Sequence, residues 1–476
     1  MKTINLKFLV ALLAMGTAIM ACKRDTVVPQ IERPDRPETE EDLLKDSVYI
    51  YTYKFYLWQQ DLPNWFSDVR GNTERYNSAD AVLETLKGYA RSENGDRLDR
   101  FSFLDRWGTV NAEIQLGLAG SFGIDVRYQN ETDLYIKDVE IGSPAYAAGV
   151  RRGWQVLSIN GNSNLSQTSL ERDNFAYIFD ALDRPTISLR LRKPNGEEVS
   201  VNLNRESYQV QPITAHRVFS LGSKNVGYFA FSTFISMFSE RGSPTYVKTQ
   251  LDQLMAQFEE AGVKEMIVDL RYNGGGAVIT AEYLSNLLVP AAANNKLMFT
   301  SKINETLSES EEWATLFAPV YFNKVNSLNL NRIYFLVTEG TASASELLIN
   351  NLRPHMDVKL IGEYRTYGKP VGFFAWDILG VDLYAVSFQT FNSTGYGDYF
   401  SGMEVDKIVF DDLKRDFGDA EEGMIAEALY HARTGRFSPD DSALQMRIQG
   451  KIAGRTSNGL NRELDQRSSK GMYVFD

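Results

Sequence analysis

Residues 331–352 read NRIYFLVTEGTASASELLINNL, and the fold turns on how this stretch divides. Residues 331–338 form a short apolar run rich in Ile, Tyr, Phe, Val and Thr, the composition of a buried strand. Beyond Ala344, the residues Leu347, Leu348 and Leu352 keep the spacing of one helical face. Ser343 therefore stands at a sharp strand-to-helix turn. Backbone N–H groups lack partners there, and the helix dipole favours negative charge. A tetrahedral acyl intermediate needs those surroundings for its oxyanion. A second apolar run, residues 358–361, leads to Lys369 on the loop beyond it. Serine alone is a weak nucleophile, but a neutral lysine within reach can take its proton, as in Ser-Lys variants of the serine triad. The same Ser343-x-x-Glu346 pattern is also a capping box, which satisfies two orphan N–H groups and needs no chemistry. Other segments have to separate these readings.

The chain has 476 residues, 43% hydrophobic and 24% charged. That is too long for one ordinary core, and the composition is that of a globular protein. A net charge of −12 argues against nucleic acid as a partner, since that needs a basic face. Lys2 and Lys7 precede or open a short apolar stretch, residues 8–21, which suits a signal-peptide core and is too short to span a bilayer. It ends in Ile19-Met20-Ala21-Cys22, which resembles a lipobox. Cys22 is the only cysteine, so lipidation there would anchor the protein to a membrane and leave no disulfide. Residues 1–21 read as the lipoprotein signal and 22–42, with Pro29, Pro34 and Pro37, as a tether.

Residues 43–112 read as a helical region. Residues 79–89 have a clear helical pattern, and the run of Tyr49, Tyr51, Tyr53, Phe55, Tyr56 and Trp58 reads as core. Residues 113–206 look like a β-rich module. Gly120-Ser121-Phe122-Gly123-Ile124 is followed by a strand at 133–141, then by a Gly142-Ser143-Pro144 helix start. Strands at 186–192 and 198–203 flank an Asn195-Gly196 turn. This order resembles a PDZ domain, with Gly120, Ser121, Phe122, Gly123 and Ile124 resembling its carboxylate-binding loop. Trp154 stands where that family usually has Asp. Residues 207–437 alternate strand and helix in an α/β manner, with a helix expected over 419–432. Residues 438–476 read as a polar, irregular tail.

Asp269-Leu270-Arg271-Tyr272-Asn273-Gly274-Gly275-Gly276 lies between a strand and a helix. It lacks the Gly-Lys-Ser/Thr ending of a phosphate loop, and Ile279 occupies the last glycine position of a dinucleotide fingerprint. Such a turn exposes backbone N–H groups, which suits tight packing or an oxyanion hole. His216, His355 and His431 have no metal-ligand spacing.

Taken in order behind the PDZ-like module, this glycine turn, residues 341–346 and Gly368-Lys369 resemble the carboxyl-terminal processing peptidases (tail-specific proteases, serine peptidase family 41). The resemblance covers residues 43–437. It implies Ser343 as nucleophile, Lys369 as general base, and the N–H groups of Gly276 and Ala344 as oxyanion hole. It also implies a multi-domain α+β chain whose α/β core is of the type shared by the Clp protease and crotonase folds, with the PDZ-like module preceding or inserted. Glu346 would cap the helix or orient the lysine. The substrates would be protein or peptide carboxyl termini at the cell envelope, outer membrane favoured, with no metal or organic cofactor. Members often continue Gly-Lys-Gly-x-x-Gln, the glutamine positioning the lysine. Here Phe373 takes that place, so Lys369 needs another support. A non-catalytic binding or scaffold lipoprotein on the same fold is the alternative.

Overall fold

The computed structural model describes residues 38–170, 172, 175–439, 461, 464 and 471–474. The signal-like segment, Cys22 and most of the tether lie outside them. Among the described residues no helix is long and apolar enough to cross a membrane.

The run 331–338 forms the strand Arg332–Val337 near the middle of a six-stranded sheet. Its neighbours are Val263–Asp269 and Asp357–Gly362, both parallel to it. Asn225–Phe231 continues the parallel set, and Ile213–Ser220 closes that edge antiparallel. Both faces are covered. Ile333, Phe335 and Val337 pack with Leu347, Leu348 and Leu352 of the helix Ala344–Leu352. Tyr334 and Leu336 pack with Met424, Ile425 and Ala428 of the helix Gly423–Thr434. A strand buried on both faces reads as one continuous apolar run, which is why no alternation shows in its sequence.

A second six-stranded sheet has the order Gly275–Ala277, Gly471–Val474, Val371–Phe374, Val386–Asn392, Leu297–Lys302, Val320–Tyr321. Val371, Phe373, Tyr384 and Val386 share an apolar cluster with the aminoterminal helices Glu40–Phe55 and Ala79–Lys87. The aromatic run expected to be core is largely so: Tyr49 stacks on Trp65 at 4.8 Å, and Tyr56 is buried.

Five antiparallel strands form a third sheet, in the order Ile124–Tyr128, Leu134–Val139, Gln155–Ile159, Thr186–Arg192, Glu198–Asn204. It has its own core, including Phe122, Ile136, Ile178 and Leu189. Ser143 caps the short helix after Gly142, accepting the Tyr146 N–H at 3.1 Å, with Pro144 in the first turn.

Three readings shift. The first helix begins at Glu40, inside the expected tether, with Glu40, Glu41 and Asp42 in its first turn, where the dipole favours acids. The helix expected over 419–432 starts at Gly423, because Glu422 is its cap and accepts the Ile425 N–H at 3.1 Å. Within the tail read as irregular, Gly471–Val474 is a paired strand.

A buried ionic network ties the β-rich module to the core. Arg271 forks onto both oxygens of Asp269 at 2.8–2.9 Å and both of Glu422 at 3.0 Å, and reaches Asp411 at 2.7 Å. From the module, Arg152 meets Asp411 at 2.7 Å and Arg127 meets Glu363 at 2.6 Å. Burial alone would raise the Asp411 carboxyl, but Arg152, Arg271 and Arg127 hold it well below the usual range.

Candidate active site

Ser343 caps the helix Ala344–Leu352 with φ 63° and ψ −111°. A positive φ is strained for any residue but glycine, and it persists only where the surroundings impose it. Here they do. Thr341 Oγ donates to Leu270 O at 2.7 Å, Ala342 N–H to Asn273 O at 3.0 Å, and Ser345 Oγ to the same Asn273 O at 3.0 Å. The Ser343 side chain is 0% exposed, and its Oγ has no hydrogen-bond partner among the described residues. A capping box is present in outline, with Ser343 N–H donating to Glu346 Oε2 at 2.8 Å. The hydroxyl half is not closed by a hydrogen bond. A buried hydroxyl without a partner destabilises a fold by about 1–3 kcal/mol, so capping does not account for this serine.

Lys369 follows Gly368, whose φ is 90° and where a Cβ would strike the backbone of Phe400 and Gly402. Its side chain is 3% exposed, and among the described residues no carboxylate lies within ion-pair distance of its ammonium. Burial pushes its pKa down to about 7, Asp99 and Glu346 pull the other way, and Arg100 adds to the depression. Aromatic rings face the amine. Nζ lies 4.5 Å from the Phe373 ring centre and 5.4 Å from that of Phe101, far away in sequence. Phe373, in the usual glutamine's place, is thus part of the wall around the amine.

The missing support is Glu346. This carboxylate, fully buried, accepts Lys369 N–H at 2.8 Å on Oε2, the oxygen that also accepts Ser343 N–H. Oε1 accepts Gly368 N–H at 2.8 Å and Thr366 Oγ at 2.5 Å. Burial raises the Glu346 pKa, against which these four donors work. One side chain thus accepts both the N–H at the helix start and the backbone N–H of Lys369, joining the two places weighed as alternatives from the sequence. Arg100 secures the same loop from outside, donating to the carbonyls of Tyr367 and Gly368 at 3.2 Å and of Phe400 at 2.8 Å.

Gly276 has φ 141°, and a Cβ on it would collide with Phe234 O. Its turn is held by Asn273, whose Nδ2 donates to Phe231 O at 2.8 Å and whose Oδ1 accepts Gly275 N–H at 2.9 Å. Because Asn273 O also receives Ala342 and Ser345, the glycine turn and the serine turn are bolted together. Ala344 opens its helix, so its N–H has no intrahelical acceptor. The histidines lie apart from Ser343: His355 contacts Leu297 O and Ser393 Oγ, and His431 contacts Tyr334 Oη.

In the β-rich module, the 120–124 loop is partly self-satisfied. Gly123 N–H donates to Ser121 Oγ at 2.9 Å, and Arg205 donates to Gly120 O at 2.6 and 3.0 Å. Phe122 points into the module's core. A cavity of about 630 Å³ runs past this loop, lined also by Asp125, Asp138, Glu140 and Tyr473. Burial, then Glu140 and Asp125, push the Asp138 pKa up to about 7.

The site thus combines a strained, buried serine at the head of a helix with a buried lysine whose pKa is depressed, their backbones held by one oxygen of Glu346. Residues 225–383 match the model of peptidase family S41. The chain is 27% identical to the carboxyl-terminal-processing protease of a Synechocystis strain, over 63% of this chain and 62% of that one. It is 24% identical to the carboxy-terminal processing protease CtpA of Bacillus subtilis, over 48% of this chain and 42% of that one. It therefore spans less than two thirds of each relative's length. A solved Bacteroides fragilis structure assigned to the S41 proteases shares the fold, with a TM-score of 0.61 at 24% identity, covering 84% of this chain and 99% of that one.

Proposed function

We propose that this protein is a serine endopeptidase that cuts proteins near their carboxyl termini, with Ser343 as nucleophile and Lys369 as base. The observation that carries this reading is the partnerless Ser343 Oγ at a positive φ, with the backbones of Ser343 and Lys369 bound to one oxygen of Glu346. With a pKa of about 7, Lys369 is substantially neutral at physiological pH. It takes the Oγ proton as Oγ attacks the scissile carbonyl carbon. The oxyanion is met by the N–H groups of Gly276 and Ala344. The lysine then returns the proton to the leaving amine. The Lys369 amine then takes a proton from a water that attacks the acyl carbon, and passes it to Oγ as the C–Oγ bond breaks, which frees the acid product and restores Ser343.

The β-rich module serves this site as a PDZ-like reader, the 120–124 loop receiving a substrate's terminal carboxylate. Cys22, lipidated, fixes the enzyme to the cell envelope. The test is a peptide-cleavage assay on wild type and Ser343→Ala. Activity at the wild-type level in the variant refutes the nucleophile. Amidating the substrate's carboxyl terminus should weaken cleavage about tenfold, the scale of one charged hydrogen-bond set. Equal cleavage of acid and amide would remove the reader while leaving the dyad.

A further inference from the structure

The strands flanking the candidate active site do not pair with each other. Gly275–Ala277 holds Gly276, Val371–Phe374 begins just after Lys369, and between them lies Gly471–Val474, parallel to both. Its register is well defined. Met472 pairs with Gly276 and Gly372, and Tyr473 with Ala277 and Phe373. A segment remote in sequence thus fills a slot whose walls are the oxyanion-hole turn and the strand leaving the base.

Ser343 and Lys369 are 0% and 3% exposed, so no peptide bond reaches them in this arrangement, and something must leave before catalysis. Most of what surrounds them is integral to the core: the central sheet, the helix Ala344–Leu352 and the Asn273 turn. Gly471–Val474 is a short added strand, held by main-chain pairing that any extended peptide can supply. Its side-chain anchor is Tyr473, 2% exposed, stacked on Phe373 at 5.7 Å and edge-on to Tyr384 at 5.3 Å. Tyr473 also lines the cavity that runs to the 120–124 loop, so slot and loop form one track.

We infer that Gly471–Val474 occupies the channel of the substrate strand, and that the place of Tyr473, against Phe373 and Tyr384, is a subsite for an aromatic side chain. The chain's own segment is then a competitive self-inhibitor that substrate displaces. This rests on the peptidase reading given above.

The experiment compares the full chain with one ending at Lys470, and adds the peptide Gly-Met-Tyr-Val-Phe-Asp (residues 471–476) in trans. The shortened chain should keep its fold and gain about tenfold in kcat/KM, because a tethered competitor acts at a high effective concentration. The free peptide should inhibit it competitively, and the peptide with alanine for tyrosine should bind at least tenfold more weakly. Binding is read by calorimetry on the shortened chain carrying Ser343→Ala, so it does not depend on turnover. Tyr473→Ala in the full chain should also raise kcat/KM. Should the shortened chain bind the peptide with tyrosine dependence yet cut nothing, the peptidase reading falls and the slot stands. An active shortened chain with unchanged kcat/KM and no peptide binding overturns the slot. Unfolding on removal of 471–476, or loss of activity in a folded Tyr473→Ala, overturns it too by making the strand structural.

Discussion

Two buried clusters of charge, one around Arg271 and one around Lys369, are built on opposite rules. At Arg271 every charge is answered: the guanidinium forks onto Asp269 and Glu422, Asp411 receives Arg271 and Arg152, and Arg127 adds Glu363. The result is an Asp411 carboxyl held far below its usual range. At Lys369 the charge is left unanswered. Glu346 lies near, but its oxygens are spent on backbone N–H groups and the Thr366 hydroxyl rather than on the ammonium. Asp99 is likewise engaged by Tyr56, Phe101 and Ser102. Burial costs both clusters alike, but pairing offsets it in the first, and in the second it remains as a depressed pKa. Complete pairing makes a joint; withheld pairing leaves an amine with a depressed pKa.

The largest test is substitution at the withheld end. Ser343→Ala and Lys369→Ala should each lower turnover by roughly 10³-fold or more, with melting temperatures close to wild type. A comparable melt together with undiminished cleavage in either variant would break the contrast. The paired end should respond in the opposite currency. Arg271→Met removes the guanidinium from Asp269 and Glu422, leaves Asp411 to Arg152 and Arg127, and should cost about 3–5 kcal/mol of stability, measured by denaturant unfolding. If Arg271→Met melts like wild type, the network is not the joint described.

Between the two stands Glu346→Gln, which replaces an acceptor oxygen by an N–H donor facing N–H groups. Turnover should fall about 10- to 100-fold, and the pH profile should shift with it because Lys369 loses a nearby carboxylate. A purely structural glutamate would lower the melting temperature and leave the profile unmoved. The mildest test is pH itself. The value of kcat/KM should rise about tenfold per unit below pH 7 and level off above it, following the neutral form of Lys369.

Stability carries the matching sign. The folded pKa, about 7, lies below the ordinary 10.5, so between these values the unfolded chain holds the proton. The destabilisation from Lys369 is full below pH 7 and disappears above 10.5. Lys369→Met should therefore raise the melting temperature at pH 6 and do so less at pH 9. An equal rise at both would mean that the lysine is not depressed.

What could be read from the sequence was what is written locally. The strand-turn-helix around Ser343, the glycine turn, Lys369 and the hairpin about Asn195-Gly196 each rest on a period or a turn signal within a dozen residues. Phe101 and Asp99 beside Lys369 could not be found that way, since their link to the lysine is made only through space. The Arg271 network escaped for the same reason: Asp269 is adjacent in the motif, but Asp411 and Glu422 come from the far side of the core. Gly471–Val474 is too short to show a period, and it follows Gln466-Arg467-Ser468-Ser469-Lys470, whose polarity masks it. The helix expected over 419–432 slipped because Asp419 and Glu421 read as a first turn, whereas Glu422 holds the capping place.

The single oxygen shared by Ser343 and Lys369 has a mechanical meaning. Two parts located from each other through a train of intermediates accumulate the error of every link, while two parts located from one datum do not. Glu346 Oε2 is such a datum, so a drift of the helix start carries the backbone of the lysine loop with it. Ångström-scale misplacement is enough to slow an enzyme a hundredfold. Side chains around this pair can therefore change while the two backbones keep their spacing.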